Sequence, residues 1–340
     1  MKIIFLTRLY LPHIGGVEKH IFEISKILAK NNQLTIIAEQ DNPSEPEYEK
    51  APFAEIYRIP LGGVGESAKK FTIWSWLFKH LDLIKSAEIV HIHDVFFWYL
   101  PFRFLFPNKK VFITFHGYEG SQPPTLIQKF WHQLAAKLTS GNICIGDFHQ
   151  RWYGIKPTLV SYGAVYPVSQ TKHRIRKEAA IFIGRLDRDT GIVDYLEASR
   201  QLRLPLDVYG DGPLLSACQL FVQSNRVPAR FYGFVPDSAN FIPGYKYAFI
   251  SRYLGILEAL AAHTSIIAHF DSPIKKDYLA LAPFAQFIHL VNSSPAIVAT
   301  VAKIRDNYPT ALIRAGYIWS QGQTWAKLAD QYQSLWTLPK

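Results

Sequence analysis

The sequence predicts an α/β protein built from two doubly wound domains. Three observations predict it. At 340 residues the chain is long for one core and natural for two. A strand-like apolar run, a glycine turn and a helical pattern open the chain (Lys2–Leu6, then Gly15 and Gly16), and the same order returns at its middle (Ala179–Ile183, then Gly184 and Gly191). Hydrophobic residues make up 49% of the chain and charged residues 19%, a globular balance.

Lys2–Leu6 reads as a buried strand and Tyr10–Gly16 as a loop of turn residues. Val17, Ile21, Ile24 and Leu28 then recur at helical spacing, with Glu18, Lys19, Glu23 and Lys26 opposite. Gly15 and Gly16 thus stand at a helix N-terminus after the first strand, where open α/β sheets bind ligands. An ordinary glycine turn is the plainer alternative. Gln33–Ala38 is a strand, Gln40–Lys50 a polar acidic loop and Glu55–Pro60 a short strand. Phe71–Lys85 reads as one helix, apolar over much of its circumference, with Lys79, His80 and Lys85 interleaved. Such a helix either docks on a membrane surface or packs on the sheet with a basic outer edge. Glu88–His93 is a strand that puts His91 and His93 on one face. No third partner stands at a convincing spacing, so no metal site is expected. Val111–Phe115 is a strand ending at His116, and a histidine just past a buried strand points into a cleft more often than into a core. Helix Leu126–Leu138, strand Asn142–Ile145, a helix in Asp147–Tyr153 and strand Thr158–Ser161 follow, then the basic linker Lys172–Lys177.

In the second half, Ala179–Ile183 leads to Gly184, Arg185 and a helix opened by Gly191. This is a layout for holding a phosphate. Glycines let backbone N–H groups approach an anion, and the helix N-terminus adds positive partial charge. A guanidinium fork matches phosphate oxygens two at a time. A βα turn with a surface arginine is the alternative. Leu206–Tyr209 is a strand before Gly210-Asp211-Gly212-Pro213. Strand Arg230–Gly233, a helix start at Pro236-Asp237, strand Tyr247–Ser251 and helix Leu254–Ala262 with Glu258 come next. Strand Ser265–Phe270, a helix in Ser272–Leu281, strand Gln286–Val291, a helix from Pro295 and a terminal helical segment Arg314–Trp336 complete the chain.

Composition narrows the function classes. Two cysteines, Cys144 and Cys218, give no disulfide framework and no metal spacing, and read as inert core thiols in a reducing compartment. The N-terminus reads as a strand, with no signal-peptide pattern. The longest apolar run, Val95–Pro107, is broken by Pro101 and Arg103 and is too short to span a bilayer. Net charge is +10 and spread: residues 1–165 carry 18 Lys and Arg against 14 Asp and Glu, and 166–340 carry 19 against 13. Nucleic-acid binding would concentrate that charge. A phosphorylated substrate or an anionic membrane surface fits it.

Three segments, in this order and spacing, resemble the C-terminal half of family 4 glycosyltransferases of the GT-B type. They are a strand ending in Gly184-Arg185-Leu186, a strand ending in Gly210-Asp211-Gly212-Pro213, and a helix carrying Glu258-Ala259. The stretches Ile14–His20 (IGGVEKH) and Phe112–Glu119 (FITFHGYE) agree in the N-terminal half. The resemblance spans essentially the whole chain. It implies two Rossmann-like doubly wound domains facing a cleft: 1–165 for the acceptor, 166–318 for the nucleotide sugar, and a helix at 319–340 packing back on the first domain. It implies catalytic roles for His116, Arg185 and Glu258. It places Gly15, Gly16, Gly184, Arg188, Thr190, Gly191, Gly210, Gly233, Leu254 and Gly255 around the donor, and Glu18, His20, His93 and Glu119 around the acceptor. The co-substrate is a nucleotide-diphosphate sugar, with no further cofactor and no obligatory metal. The expected reaction is transfer of the sugar, with retention, to a glycan or lipid-linked acceptor in surface polysaccharide or glycoconjugate synthesis. The expected place is the cytoplasm, peripheral at the inner face of the membrane through the N-terminal domain, with no nucleic acid partner.

Two departures stand out. The family has a second glutamate eight positions before the one matched by Glu258, and here that position is Ile250. The lysine expected after Gly-Arg-Leu is Thr190, which leaves the diphosphate one cation short unless Arg188 replaces it. Asp187-Arg188-Asp189 mimics a metal-binding Asp-x-Asp but stands in the wrong place for that fold. The departures motivate a rival, a sugar-nucleotide-binding protein that has lost turnover. An NAD-dependent dehydrogenase is weaker, because no G-x-G-x-x-G follows the first strand.

Overall fold

The computed structural model describes residues 1–13, 15–120, 122–167 and 176–338. Most of the basic linker Lys172–Lys177 lies outside them. The chain forms two compact units. Unit 1 is Met1–Tyr118, Pro124–Ser161 and Trp325–Lys340, and unit 2 is Glu119–Pro123 and Tyr162–Thr324.

Unit 1 runs β1 (Lys2–Leu6), α1 (Gly16–Leu28), β2 (Gln33–Glu39), β3 (Tyr48–Ala51), β4 (Ala54–Ile59), α2 (Glu66–Lys79), α3 (Leu81–Ser86), β5 (Ile89–His93), α4 (Phe96–Leu105), β6 (Lys110–Phe115), α5 (Leu126–Leu138), β7 (Asn142–Ile145), α6 (Phe148–Tyr153) and β8 (Leu159–Ser161). Its sheet order is β3-β4-β2-β1-β5-β6-β7-β8, parallel except for the β3–β4 hairpin. Strands covered on both faces need continuous apolar runs, and β1 and β5 bury all or nearly all of their side chains. The order reverses between β1 and β5, so ligands are expected beyond the carboxyl ends of those strands.

Unit 2 repeats the logic with β9 (Lys177–Ile183), α7 (Ile192–Leu202), β10 (Leu206–Tyr209), α8 (Leu215–Asn225), β11 (Ala229–Gly233), β12 (Tyr245–Phe249), α9 (Tyr253–Ala261), β13 (Ser265–His269), α10 (Pro273–Ala280), β14 (His289–Val291), α11 (Ser294–Asp306) and α12 (Thr310–Gln321). Its sheet is parallel in the order β11-β10-β9-β12-β13-β14, with the reversal between β9 and β12. Phe182, Leu196, Val208, Tyr247, Phe249 and Ile297 stand in its core. The last helix, α13 (Trp325–Thr337), belongs to unit 1 and packs on α1.

Several elements differ from their sequence expectation. Phe71–Lys85 is two helices, α2 and α3. His80 breaks them at φ −111°, its Nδ1 meeting the Trp76 carbonyl at 2.8 Å and its ring stacking on Trp76. The expected loop Gln40–Lys50 holds the start of β3. Arg58 on β4 is buried beneath it, bonded to Glu49 at 2.8 Å and to the Leu11 carbonyl at 2.9 Å. The run broken by Pro101 is helix α4. That proline denies the Phe97 carbonyl its helical donor, and Trp74 Nε1 takes the place at 3.1 Å. Pro236-Asp237 opens a 3₁₀ turn over Ser238–Gly244. The terminal segment is two helices, α12 and α13, broken at Gly322.

Candidate functional site

In unit 2 the reversal point is built from the ends of β9, β12 and β13. Gly184 and Arg185 leave β9, and two glycines of the next loop press against them. A Cβ at Gly210 would lie 1.9 Å from the Gly184 carbonyl oxygen, and one at Gly212 would lie 2.5 Å from that of Leu186. Backbone bonds stitch the two loops: Gly184 N–H to the Tyr209 carbonyl at 3.1 Å, and Leu186 N–H to that of Asp211 at 2.8 Å. The fold itself thus demands glycine at 210 and 212. Gly233 closes the row, its carbonyl accepting from Gly210 N–H at 2.8 Å.

Arg185 is 71% exposed and paired with Asp187 at 2.8 Å. That pairing holds the guanidinium at the surface where an anion can displace the carboxylate. Arg188 is exposed, and Thr190 is buried with its hydroxyl donated to the Asp187 carbonyl at 2.7 Å. Gly191 caps α7 at φ 78° against the His269 ring. Arg252, at the N-cap of α9, pairs with Asp189, and Lys275 of α10 donates to the Asp189 carbonyl. Glu258 and Leu254 are half-buried on α9. Ile250 is buried, and a Cβ at Gly255 would lie 2.6 Å from its Cγ2. The position where a second glutamate was expected is therefore packed as core.

In unit 1 the corresponding ends carry histidines. Gly15 is the N-cap of α1, and a Cβ at Gly16 would meet nothing within 4 Å. Glu18 is nearly buried, its pKa raised by that burial, with His13 at 3.3 Å opposing the shift. His93 Nδ1 faces His116 Nε2 at 2.8 Å, so one ring donates and the other must stay neutral there. His116 is half-buried, and its backbone N–H donates to Asp94 at 2.9 Å. His93 Nε2 is buried with no hydrogen-bond partner among the described residues.

A second set of bonds runs deeper. Trp336 Nε1 donates to His91 Nδ1 at 2.9 Å, which puts the His91 proton on Nε2. Nε2 donates to Thr114 Oγ1 at 2.8 Å, Thr114 to Tyr332 Oη at 2.8 Å, and Tyr332 to His20 Nε2 at 2.9 Å. Both nitrogens of His91 are thus engaged by protein groups. His20 is buried and its ring meets the His116 ring edge-on at 4.7 Å. Burial holds His20 at a pKa of about 3 and drives His91, His93 and His116 well below the ordinary imidazole value. These rings are neutral near pH 7, suited to hydrogen-bonding hydroxyls. Glu119 is exposed and groups with unit 2.

These two sheets, each with its reversal point and glycine turns, are found together in known proteins. Residues 14–159 match the family model for Glycosyltransferase Family 4. Over those residues, nearly all of them in unit 1, the chain is similar to glycosyltransferase family 4. Its fold is GT-B. It is 22% identical over 269 residues to the O-antigen chain mannosyltransferase C of Escherichia coli, covering 71% of this chain and 70% of that one. Sucrose-phosphate synthase from Thermosynechococcus elongatus superposes with a TM-score of 0.79 at 16% identity, covering 98% of each chain. The Anabaena protein HepE in complex with UDP-glucose gives 0.73 at 14% identity, covering 99% of this chain and all of that one.

The structure brings Gly184, Arg185, Arg188, Thr190, Gly191, Gly210 and Gly233 to one end of the unit 2 sheet. It brings His20, His93 and His116 to one cluster in unit 1. Arg252, His269 and Lys275 also stand at the unit 2 site, and no local motif in the sequence marks them. Only the N-cap signal of Ser272-Pro273 announced a helix start beside them.

Proposed function

We propose that the protein moves a sugar from a nucleotide-diphosphate sugar to a glycan or lipid-linked acceptor, with retention, in surface polysaccharide or glycoconjugate synthesis. The observation that carries this reading is Arg185, exposed at the reversal point of a parallel sheet beside the N-terminus of α7. There it would bind the diphosphate and stabilise its charge as it leaves. Glu258 would accept hydrogen bonds from ribose hydroxyls. Gly15, Gly16, Leu254 and Gly255 would complete donor contacts. His116 would touch the transferred sugar, while Glu18, His20, His93 and Glu119 serve acceptor hydroxyls directly or through neighbours. HepE binds UDP-glucose and the Escherichia coli relative is a mannosyltransferase, which supports a hexose donor.

A membrane-borne acceptor has support from the surface of unit 1. Phe71, Phe78, Phe104, Leu126, Ile127, Phe130 and Trp131 are exposed on α2, α4 and α5. Trp74, Phe97 and Trp131 link them at ring distances of 5.3 to 5.5 Å, and the Lys70 ammonium lies 5.0 Å from the Phe71 ring. Aromatic and cationic groups together suit the headgroup layer of an anionic bilayer. No helix among the described residues is long and apolar enough to cross a membrane.

The experiment is transfer from a panel of nucleotide sugars to lipid-linked and soluble glycans, with the anomeric configuration of the product read by NMR. A product with the donor's configuration supports the reading, and inversion or no transfer to any acceptor counts against it. A lapsed enzyme is the second reading, favoured by the buried Ile250. It predicts donor binding with no transfer.

A further inference from the structure

Thr190 leaves the anion site of unit 2 without the cation that would stand at the start of α7. Lys275 reaches the same point from another element. Its side chain has no exposed surface. Its Nζ donates to the carbonyl of Asp189, in the 3₁₀ turn Arg188–Thr190 that runs into the α7 N-cap. Among the described residues the ammonium makes no other hydrogen bond and no ion pair, so two of its three N–H donors have no protein acceptor. An ammonium taken out of water without a carboxylate is costly, and structures keep one only where something offsets it.

The surroundings show what that could be. Arg252 stands beside Lys275 from the N-cap of α9, so the two cations repel; the carboxylates of Asp189 and Asp271 act against that. His269, at the end of β13, presses on the same spot. A Cβ at Gly191 would lie 2.6 Å from its Nδ1, which is buried with no hydrogen-bond partner among the described residues. Its Nε2 lies 3.0 Å from Asp194 on α7. Tyr278, buried on α10, accepts from the Tyr253 backbone N–H at 3.0 Å. A buried ammonium held against the turn that leads into the α7 N-terminus favours an anion at that terminus.

We propose that Lys275 is a positioning residue of the diphosphate site, fastening the Arg188–Thr190 turn and supplying from α10 the positive charge that Thr190 lacks. This rests on the donor reading above. It gives the site a pH signature. Burial and the Arg252 charge lower the Lys275 ammonium to about 8. The charged form dominates below that value and is lost above it, so diphosphate affinity falls as pH rises through it. Burial already holds His269 below its ordinary value, so it stays neutral across that range.

The test is calorimetric titration of the full chain with UDP, GDP and ADP, and with the matching nucleosides, between pH 7 and pH 9.5. Wild type, Lys275→Arg, Lys275→Met and Arg185→Ala are compared. Wild type should bind one diphosphate, weakening as pH rises. Lys275→Met should bind it about tenfold more weakly at pH 7, the size of one charge-assisted hydrogen bond, with a flat pH profile. Lys275→Arg should keep both the pH 7 affinity and its value at pH 9.5, and nucleoside binding should be the same in all variants. If Lys275→Met keeps wild-type affinity and profile while Arg185→Ala weakens binding, the Lys275 proposal is wrong and the donor reading stands. If wild type binds no diphosphate, the donor reading fails first. If Lys275→Met does not fold, the wild-type and Lys275→Arg profiles still decide, because identical falls in both would overturn the proposal.

Discussion

Replacing Gly210 by alanine should destabilise the protein by about 2–5 kcal/mol. The new Cβ would lie 1.9 Å from the Gly184 carbonyl oxygen and 3.2 Å from Leu186 Cδ1, against an ordinary contact of about 3.5 Å. The carbonyl cannot yield cheaply, since bonds to Tyr209 and Asp211 hold its loop on both sides. Forcing a methyl into such a place costs about 1–3 kcal/mol. The backbone at φ 150° adds about 1–2 kcal/mol for any residue with a side chain. Gly16 is the control. Its Cβ would meet nothing within 4 Å and it opens a helix, so Gly16→Ala should be neutral or stabilising by up to about 1 kcal/mol. The assay is urea denaturation of both variants, read as a shift in midpoint at constant m-value. A Gly210→Ala midpoint within error of wild type would refute the stitched-loop geometry. The same pair separates two reasons for a glycine. Gly210 is demanded by packing, whereas Gly16 is free of it. A Gly16 variant that folds normally but loses donor binding would show that its bare backbone is there for the ligand.

Other consequences are independent of that loop. Tyr332→Phe removes the hydroxyl between Thr114 and His20 and leaves a buried imidazole nitrogen unpaired, so it should cost about 1–3 kcal/mol in denaturant titration; no loss would mean that the hydrogen-bond chain is not formed. His20 and His149 are held neutral to about pH 3, against about 6.5 in the unfolded chain. Their contribution is complete above pH 6.5 and is lost as pH falls towards 3, each costing about 1 kcal/mol by pH 5.5. Thermal melts between pH 7.5 and 5 should show the melting temperature falling; a flat profile would contradict neutral burial. Serine at Phe71, Ile127 and Phe130 should leave the melting temperature within about 2 °C, because these side chains are exposed, yet release the protein from vesicles containing phosphatidylglycerol. Unchanged vesicle binding would remove the membrane face.

The parts that were legible in sequence share one property: their signals are local. The runs Lys2–Leu6 and Ala179–Ile183 announce buried parallel strands, and glycine turns with helical spacing after them announce the crossovers. What stayed hidden depends on distant partners. The break at His80 needs a side chain folding back on Trp76, and β3 is a polar edge strand (YEKA) whose pairing rests on the buried Arg58. Thr114 and Tyr332 meet across 218 residues, and His20 and Tyr332 across 312, so no spacing rule could join them. Lys275 shows the limit most clearly. The segment SPIKKDYL reads as the start of a helix and nothing more, yet one of its two lysines is fully buried against a turn 86 residues earlier.

The central claim is that unit 2 grips a nucleotide-diphosphate sugar through Arg185. The most direct test is a thermal-shift screen of wild type and Arg185→Ala against UDP-, GDP-, ADP- and TDP-sugars, with and without EDTA. Arg185 is 71% exposed, so its removal should leave the unliganded melting temperature unchanged. The account predicts that one donor stabilises wild type, that EDTA does not matter, and that Arg185→Ala weakens the binding about 10- to 100-fold. Stabilisation that survives in Arg185→Ala, or no response of wild type to any sugar nucleotide, would contradict it.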